Sequence, residues 1–479
     1  MILASLIIAP LLAALASILL RQQHARILEG VTALAAVVEV ILAALLIPLV
    51  VTQKNVSIGF LSVDALGTLL ALIIAAVSSL AGFYSIGYLR AEVAKGIIGF
   101  SRVRQFFVLF NLFVFAMFLA VSADNPIVMW IGIEGTTLAT AFLISFYNKP
   151  SSMEAAWKYL VVNSLGLLLG LLGTLLFLAQ STQGITWESL KAGAGAFDPL
   201  LVKLAFVFVL VGYGTKVGLV PMHTWLPDAH SKAPSPVSAM LSGVLLNVAL
   251  FAVLKFKMVA DIALSDNFTA ELLIIFGTIS VVVSGLIIFV QRNYKRLLAY
   301  SSIEHMGLMA AGFGFGGIGI AASLLHMIYH AFTKSLLFMV AGVVFLKYSS
   351  TKIRNISGMI RTLPVSAVLF FAAVLAATGM PPFGLFSTKL WILTGAAMEY
   401  PYIALIIFAG LIIAFIGFLK DTTAMVFGNP PEGMDNIEPN GFTLSVPLVL
   451  ITLVLVLSFW IPEPLKALIE SAALSLAPL

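Results

Sequence analysis

Apolar stretches of about 20 residues recur along the chain, with short polar segments between them. Each stretch is long enough to cross the hydrocarbon core of a bilayer as an α-helix. We number them spans 1 to 14, and they lie at 2–20, 27–50, 63–88, 103–122, 125–147, 155–180, 199–220, 235–257, 269–290, 294–313, 316–346, 363–397, 401–427 and 443–461. The pattern predicts an all-α polytopic membrane protein with fourteen transmembrane helices.

Lysine and arginine concentrate in the loops that follow odd-numbered spans. These loops hold Arg21, Arg26, Arg90, Lys95, Arg102, Arg104, Lys149, Lys232, Arg292, Lys295, Arg296, Lys347, Lys352, Arg354 and Arg361. The even-numbered loops hold only Lys54 and Lys191. Because positively charged loops stay in the cytoplasm, the bias predicts cytoplasmic odd loops, a location in the cell membrane and both termini outside.

The amino-acid composition argues against several classes of function for this chain. The chain is 61% hydrophobic and 10% charged, with a mean hydropathy of +1.11, and its pI of about 9.2 comes from the loops rather than from a surface for nucleic acid. It has no cysteine, so it offers no thiolate ligands for an iron–sulfur cluster or a nickel site. It also lacks a GxxxxGK[ST] phosphate loop, and its loops are short. Any chemistry is therefore expected inside the membrane.

Titratable residues inside the spans are the main functional candidates. A charge at mid-bilayer costs roughly 2.5–3.5 kcal/mol on insertion scales, so such residues usually face a bundle interior or water. The residues in question are Glu39, Glu134, Lys216, Lys255, Lys257, Glu304, His305, His326, His330, Lys334, Lys389, Lys420 and Asp421. Four lie too deep to reach the membrane surface, and a functional role is favoured for them. These four are Glu134, Lys216, Lys334 and Lys389.

The remaining carboxylates and lysines also have structural interpretations. Lys255 and Lys257 lie late in span 8, where a long side chain can extend to the membrane surface. Lys420 and Asp421 can form a local pair near the cytoplasmic end of span 13. Glu39 is expected to be a hydrogen-bonded polar group between helices.

Span 11 carries three titratable residues at helical spacing. His326, His330 and Lys334 are four residues apart and line one helix face. A single histidine in such a place is most often a core hydrogen-bonding group, whereas two histidines and a lysine in line indicate a proton relay. Metal binding by His326 and His330 is the weaker interpretation, because no third ligand lies nearby in the sequence.

Prolines interrupt spans 7 and 12 beside their lysines. "VPMHTWLPDAHSKAPSP" follows Lys216, and "AATGMPPFGLFSTK" leads into Lys389. Proline removes a helix hydrogen bond, so both helices are expected to be broken. Glu134 precedes Lys216 by 82 residues and Glu304 precedes Lys389 by 85. Paired broken helices predict two inverted five-helix repeats, formed by spans 4–8 and 9–13.

These repeats set the predicted domain boundaries. Residues 1–100 hold the flanking spans 1–3, residues 101–258 the first repeat, residues 259–428 the second, and residues 429–479 span 14 with the C-terminal tail.

A lysine beside a helix break has water and free backbone groups within reach. A carboxylate such as Glu134 at about 4 Å would be worth roughly 4 kcal/mol at an effective dielectric constant of 20. Making and breaking such a pair would switch Lys216 between holding and releasing a proton.

Four motifs together resemble one family. They are "MHTWLPDAHSKAPSPVSA" (222–239), "RNYKRLLAYSSIEHMG" (292–307), "HMIYHAFTKSLLF" (326–338) and "GMPPFGLFSTKLWIL" (379–393). The chain resembles the antiporter-like subunits of respiratory complex I, of Mrp Na⁺/H⁺ antiporters and of group 4 membrane-bound NiFe hydrogenases. "SSIEHMG" and "EGTTLATAFLISFY" are most similar to the F-type subunit of hydrogenase-4.

The resemblance implies roles for individual residues. Glu134 and Lys216 match the family's ion pair of the first half-channel, and Lys389 matches the terminal residue of span 12. The implied relay between them comprises Lys255, His305, His326, His330 and Lys334, with Asn247, Glu304, His223 and His230 as supporting residues. Asn247 stands where several members carry a central lysine. Either another group bridges that position or Lys255, eight residues further on, reaches back.

The implied function is translocation of protons or Na⁺ by a subunit of a redox-driven complex, with no catalytic centre of its own. The expected partners are other membrane subunits and a cytoplasmic redox arm, and nucleic acid is not among them. This chain is expected to hold no cofactor, while partners would hold Fe–S clusters and a NiFe centre. Two alternatives remain: a subunit of a gradient-driven Mrp-type antiporter or of complex I, and a scaffold that has lost transport.

Overall fold

The computed structural model describes residues 1–439 and 441–477 as a bundle of helices. The helices of the first half are α1 Ile2–Leu19, α2 Ala25–Gln53, α3 Ala65–Ala94, α4 Phe100–Val121, α5 Pro126–Ile144, α6 Pro150–Leu178, α7 Trp187–Gly193, α8 Pro199–Val217, α9 Trp225–Lys232, α10 Ser235–Met240 and α11 Leu246–Ala263. The helices that follow are α12 Phe268–Val290, α13 Tyr294–Phe315, α14 Ile318–Tyr348, α15 Met359–Thr362, α16 Pro364–Thr378, α17 Gly384–Glu399, α18 Pro401–Phe427, α19 Phe442–Phe459 and α20 Glu463–Leu476. A π-helical segment, Leu241–Leu245, joins α10 to α11.

Twelve helices in the described ranges are long and apolar enough to cross a membrane. Two predicted spans fall outside that set. Span 10 is α13, which carries Lys295, Arg296 and Glu304, and span 12 is divided into α16 and α17. All fourteen predicted spans are therefore helical, and the predicted fold class is confirmed.

Side-chain caps and prolines set where several helices begin. The Asn125 side chain accepts hydrogen bonds from two backbone amides at the start of α5, and Asp198 does the same for α8. Pro126 and Pro199 follow these caps at the first helical position, where no backbone donor is needed. These starts fix the register of α5 and α8, and hence the heights of Glu134 and Lys216 along their helices.

Burial increases sharply toward the helices that carry the functional candidates. The helical segment Ser235–Ala263 is wholly buried over its most apolar stretch, and α14 is 94% buried there. The same measure gives 39% for α1 and α2 and 28% for α19. Large apolar side chains on the outer helices, such as Leu34, Leu165 and Phe459, are exposed. The outer helices thus present apolar surface suited to lipid, while α11, α13 and α14 form the interior.

Both interrupted spans contain the same local break. Gly218 ends α8 with φ of 83° and Gly379 ends α16 with φ of 81°, a left-handed conformation that glycine adopts without strain. In each case the next amide bonds a carbonyl five residues earlier, Leu219 to Gly214 and Met380 to Leu375. This is the Schellman arrangement that terminates helices. The predicted breaks in spans 7 and 12 are therefore present.

The lysines stand differently relative to these matched breaks. Lys216 lies two residues before Gly218, whereas Lys389 lies ten residues after Gly379, inside α17. The similar spacings of the two Glu–Lys couples therefore do not place the lysines equivalently. The domain boundaries at 100, 258 and 428 stay predictions, and residue 258 falls within α11.

Two features of the fold lie outside the predicted helices. The strands β1 Val56–Ile58 and β2 Leu61–Val63 form an antiparallel hairpin, with Val56 opposite Val63 and Ile58 opposite Leu61. Leu61 also bridges to Ala123, so this hairpin ties together the loops after spans 2 and 4. The C-terminal tail forms α20, which packs against α2, α3 and α14.

Candidate functional site

Lys216 lies completely buried at the end of α8 and is held by two hydroxyl groups. Its Nζ donates to Thr137 Oγ1 at 2.8 Å and to Tyr159 OH at 2.6 Å. The ammonium group also lies 4.7 Å from the centre of the Tyr159 ring, within cation–π range. Thr140 is within 2.6 Å of the same tyrosine oxygen, which fixes that hydroxyl in place.

Glu134 does not form the predicted direct pair with Lys216. Among the described residues no ion pair joins them within 4.0 Å. Glu134 Oε1 instead accepts from Ser164 at 2.9 Å, and Oε2 is buried without a partner in the described chain. Thr137 lies one turn after Glu134 on α5, so a hydroxyl group occupies the position next to the ammonium.

The second half contains a direct ion pair. Lys389 Nζ lies 2.8 Å from Glu304 Oε1, and their side chains are 8% and 3% exposed. Lys389 also donates to the Thr378 carbonyl at 3.5 Å, at the end of α16. The break between α16 and α17 thus supplies a backbone acceptor to the lysine. Glu304, expected to be a supporting residue, is the direct partner of Lys389.

Two histidines connect this pair to the interior. His305 follows Glu304 on α13, and its Nδ1 lies 2.7 Å from His326 Nε2 on α14. The other ring nitrogen of His326 lies 2.8 Å from Thr388 Oγ1, beside Lys389 on α17. Both histidines are completely buried. A continuous chain of hydrogen-bonding groups therefore runs through α13, α14 and α17.

His330 extends the chain of groups towards the π-helical segment. Its ring centre lies 5.1 Å from that of His305, and its Nε2 lies 3.2 Å from the Ser242 carbonyl. The Ser242 hydroxyl lies 2.6 Å from that of Ser302 on α13. A π-helical turn leaves backbone carbonyls without their usual helical partners, so the segment supplies an acceptor at this depth.

Lys334 and Asn247 complete the central group. Lys334 is completely buried and donates to the Ser301 hydroxyl and, at 3.5 Å, to the Leu298 carbonyl. Asn247 Nδ2 donates to the Gly243 carbonyl at 3.0 Å, while its Oδ1 has no partner in the described part of the chain. The structure thus brings together all the predicted relay residues of spans 10 to 12.

Lys255 lies apart from this group. Its Nζ pairs with Asp64 Oδ2 at 2.8 Å and lies 5.0 Å from the centre of the Trp187 ring. Asp64 caps the start of α3 and Trp187 begins α7, so the cluster belongs to the face formed by the even-numbered loops. With these contacts, Lys255 does not reach back to Asn247. Its role in the relay stays a prediction, which no direct contact among the described residues supports.

The two histidines of span 7 occupy different surroundings. His223 lies in the break, half-buried, with its ring 6.1 Å from that of Tyr300. His230, on α9, is completely buried and stacks on Phe338 with ring centres 4.7 Å apart. Neither ring nitrogen of His230 has a hydrogen-bond partner among the described residues.

The other charges in the spans have mainly local partners. Glu39 accepts from Ser78 at 3.3 Å in the interface of α2 with α3, as expected of a polar group between helices. Lys257 pairs with Asp261 at 2.5 Å, one helical turn away. The predicted pair of Lys420 and Asp421 is present at 3.6 Å.

The arrangement of hydroxyl, imidazole, ammonium and carboxylate groups suits transfer of protons or binding of a small cation. The described residues contain no cluster of three or more histidine, cysteine, aspartate or glutamate side chains that could hold a metal ion. Titratable groups in hydrogen-bonded sequence inside a helix bundle are the usual components of an ion pathway in pumps and transporters.

Sequence comparison assigns the chain to a family. Residues 123–417 match the family described as NADH:quinone oxidoreductase/Mrp antiporter, TM, and this match covers more than half of the chain. The chain belongs to this antiporter family. The hydrogenase-4 component F homolog of Methylacidiphilum infernorum (isolate V4) is 36% identical over 386 residues, which are 79% of this chain and 81% of that protein.

Solved structures share the fold of this antiporter-like chain. A chain of the membrane-bound sulfane sulfur reductase, an archaeal respiratory membrane complex, has a TM-score of 0.86 at 23% identity, over 99% of this chain and 97% of that one. A chain of the Mrp complex from Dietzia sp. DQ12-45-1b has a TM-score of 0.86 at 20% identity, over the same shares. The resemblance inferred from the motifs is confirmed.

Hydroxyl-bearing residues of the antiporter-like chain were missing from the sequence prediction. Thr137 and Tyr159 hold Lys216, Thr388 holds His326, and Ser301 holds Lys334. A single apolar helix often contains serine or threonine, which can bond to its own backbone. "EGTTLAT" carried a usable signal, because Thr137 lies three residues after Glu134 and shares its helix face.

Proposed function

We propose that this chain translocates protons, or Na⁺, as a membrane subunit of a multisubunit redox-driven complex of the group 4 NiFe hydrogenase type. One observation carries the proposal: a buried line of titratable groups leads from His330 through His305 and His326 to the Lys389–Glu304 pair. Similarity to a hydrogenase-4 component F homolog favours the hydrogenase type.

Each half of the chain would hold one exchange site. In the first half, Lys216 would pass its proton between Tyr159 and the interior while Glu134 sets the local potential. In the second half, the His305–His326–Thr388 sequence would carry the proton to Lys389. Breaking the Lys389–Glu304 pair would release it. Because both lysines adjoin helix breaks, small movements of α9 or α17 would open and close these contacts.

Partner subunits would perform the redox chemistry. Fe–S clusters and a NiFe centre would lie in those partners, in a cytoplasmic arm that contacts the face formed by the odd-numbered loops. This orientation follows the lysine and arginine distribution and places both termini outside the cell membrane. The chain would couple to the arm through conformational change rather than through a cofactor of its own.

Substitution of Lys216 tests the proposal. The intact complex with Lys216→Ala, reconstituted in vesicles, should lose coupled proton or Na⁺ movement while the redox activity of its partners continues. Lys203→Ala is the matched control, because Lys203 lies on the same helix but pairs with Asp266 near its outer end. Undiminished ion movement in the Lys216 variant would refute the assignment.

A gradient-driven Mrp-type antiporter is the second candidate, favoured by the shared fold with a chain of the Mrp complex. Metal analysis and mass spectrometry of the complex purified in mild detergent distinguish the two. Nickel and iron in stoichiometric amounts support the hydrogenase type, and iron alone indicates a relative of complex I. A complex without metal, with only small membrane partners, supports the antiporter.

A further inference from the structure

A second group of buried polar side chains lies between the central residues and the odd-loop face. We call it the Glu92 cluster, and it consists of Tyr88, Glu92, Tyr147, His230 and Lys295. Only His230 belongs to the candidate site described above. The cluster joins the last turns of α3, the segment after α5, the end of α9 and the start of α13.

Glu92 is completely buried near the end of α3. Tyr147 OH donates to its Oε1 at 2.5 Å, and Tyr88 OH lies 3.3 Å from the same tyrosine oxygen. The second carboxylate oxygen, Oε2, has no hydrogen-bond partner among the described residues. Tyr147 is only half-buried, and the exposed Lys149 follows it two residues later in the chain. Glu92 thus lies one residue inward from the surface.

Lys295 connects Glu92 to the interior. It is 3% exposed, donates to the Ala233 carbonyl at 3.4 Å and lies 5.2 Å from the centre of the Phe345 ring. Ala233 lies three residues after His230 at the end of α9, and Phe345 precedes Leu346, whose carbonyl accepts from Lys95 at the end of α3. Lys295 therefore lies between the end of α3, which carries Glu92, and the end of α9, which carries His230.

His230 connects Lys295 to Lys334. Its ring stacks on Phe338, which lies one helical turn beyond Lys334 on α14, with ring centres 4.7 Å apart. Both of its ring nitrogens lack partners among the described residues, so one can accept a proton while the other releases one. The four groups therefore form a sequence from the odd-loop face to the central lysine.

A purely structural acid would have simpler surroundings, as Glu39 shows. Glu39 is also buried, but it accepts from a serine of the neighbouring helix, Ser78. Glu92 differs in having two tyrosines that lead towards the surface, while its second carboxylate oxygen has no hydrogen-bond partner in the described chain. This asymmetry is what a path needs and what a simple interhelical hydrogen bond does not need.

We propose that Glu92 is the proton inlet of this chain, taking protons from the odd-loop face and passing them through Lys295 and His230 to Lys334. The inference rests on the proposed function. Each group releases a proton towards Lys334 as it accepts one from the side of Glu92, so no net charge accumulates. Water molecules carry the proton across the gaps between side chains.

The test is Glu92→Gln in the intact complex reconstituted in vesicles, with Glu39→Gln as the matched buried control. The amide oxygen of glutamine still accepts the bond from Tyr147 but does not carry a proton through the path. We expect Glu92→Gln to lose most of its coupled proton uptake while partner redox activity and assembly persist. Glu39→Gln should retain uptake, and Glu92→Asp should recover part of it.

Unimpaired uptake in an assembled Glu92→Gln complex would overturn the inference. If that variant does not assemble, Lys295→Met serves instead, because methionine keeps the packing against Phe345 and removes the charge. Normal uptake in assembled Lys295→Met would then overturn it. Lys216→Ala separates the two levels: if it abolishes uptake while Glu92→Gln does not, only the inlet is wrong. If Lys216→Ala leaves uptake intact, the proposed function itself is wrong.

Discussion

The two lysines beside the helix breaks are stabilised in different ways. Lys216 is held by the neutral hydroxyls of Thr137 and Tyr159, whereas Lys389 is held by the carboxylate of Glu304. An ammonium–carboxylate pair adds a Coulomb attraction between two unit charges, which a hydroxyl group without net charge does not supply. The proposed mechanism therefore has a more loosely held charge at Lys216 and a more tightly held one at Lys389.

Removing one charge of the Lys389–Glu304 pair should cost more stability than removing both. Glu304→Gln leaves a buried ammonium without its counter-charge, which typically costs about 3–5 kcal/mol. The double variant Glu304→Gln with Lys389→Met leaves no charge and should recover most of that loss, although it should not translocate ions. Thermal unfolding of the purified protein in detergent measures both. A double variant as unstable as Glu304→Gln would show that the ion pair does not govern stability here.

At the level of elements, the helix break at Gly379 limits the space available to the Lys389 side chain. Gly379 has φ of 81°, and a Cβ at this position would lie 2.9 Å from Lys389 Cδ. The lysine stem therefore packs directly on the break that ends α16. A side chain at residue 379 would displace Lys389 as well as strain the backbone.

Gly379→Ala should impair translocation beyond its effect on stability. Gly316→Ala is the control, since Gly316 has φ of 73° but nothing lies within 4 Å of its Cβ position. Gly379→Ala places alanine in the left-handed helical region, at a cost of roughly 1–2 kcal/mol, whereas Gly316, with ψ of −167°, lies in a region that is essentially restricted to glycine. Stability should therefore fall at least as much for Gly316→Ala, while ion movement in vesicles falls mainly for Gly379→Ala. Equal transport in the two variants would argue against the contact with Lys389.

Across the whole molecule, contacts between polar and aromatic side chains join segments on the face formed by the even-numbered loops. Asp64 at the start of α3, Trp187 on α7 and Lys255 on α11 are in contact, although they are far apart in sequence. Lys191, also on α7, lies near Lys255 and Asp64. Burial, together with Lys255, lowers the pKa of Lys191 from its ordinary 10.5 to about 8, and Asp64 opposes this effect.

This shift makes stability depend on pH. Below pH 8 Lys191 is charged in the folded and unfolded states, and the full cost of burying the charge is present. Between pH 8 and 10.5 only the unfolded chain keeps the proton, so the free energy of unfolding rises with pH, by at most about 3 kcal/mol. Lys191→Met should remove this rise in melting profiles. Lys54→Met, at an exposed loop position, controls for the loss of one positive charge.

The sequence by itself determined the membrane class, the helical spans, the two breaks and the buried charges. Hydrophobic length and proline act locally, over one helix or one turn, so a single segment reveals them. The deep position of Lys216, Lys334 and Lys389 followed in the same way, because a charge in an apolar run needs a polar interior.

Only the tertiary structure decided which groups meet. The partners of Lys216 lie 79 and 57 residues away in sequence, and Glu304 lies 85 residues from Lys389. Such contacts depend on how helices pack and rotate against each other, and no local pattern records this. For that reason the sequence predicted a Glu134–Lys216 pair where hydroxyl groups lie instead. It also gave no sign of the Glu92 cluster, whose members come from four separate segments.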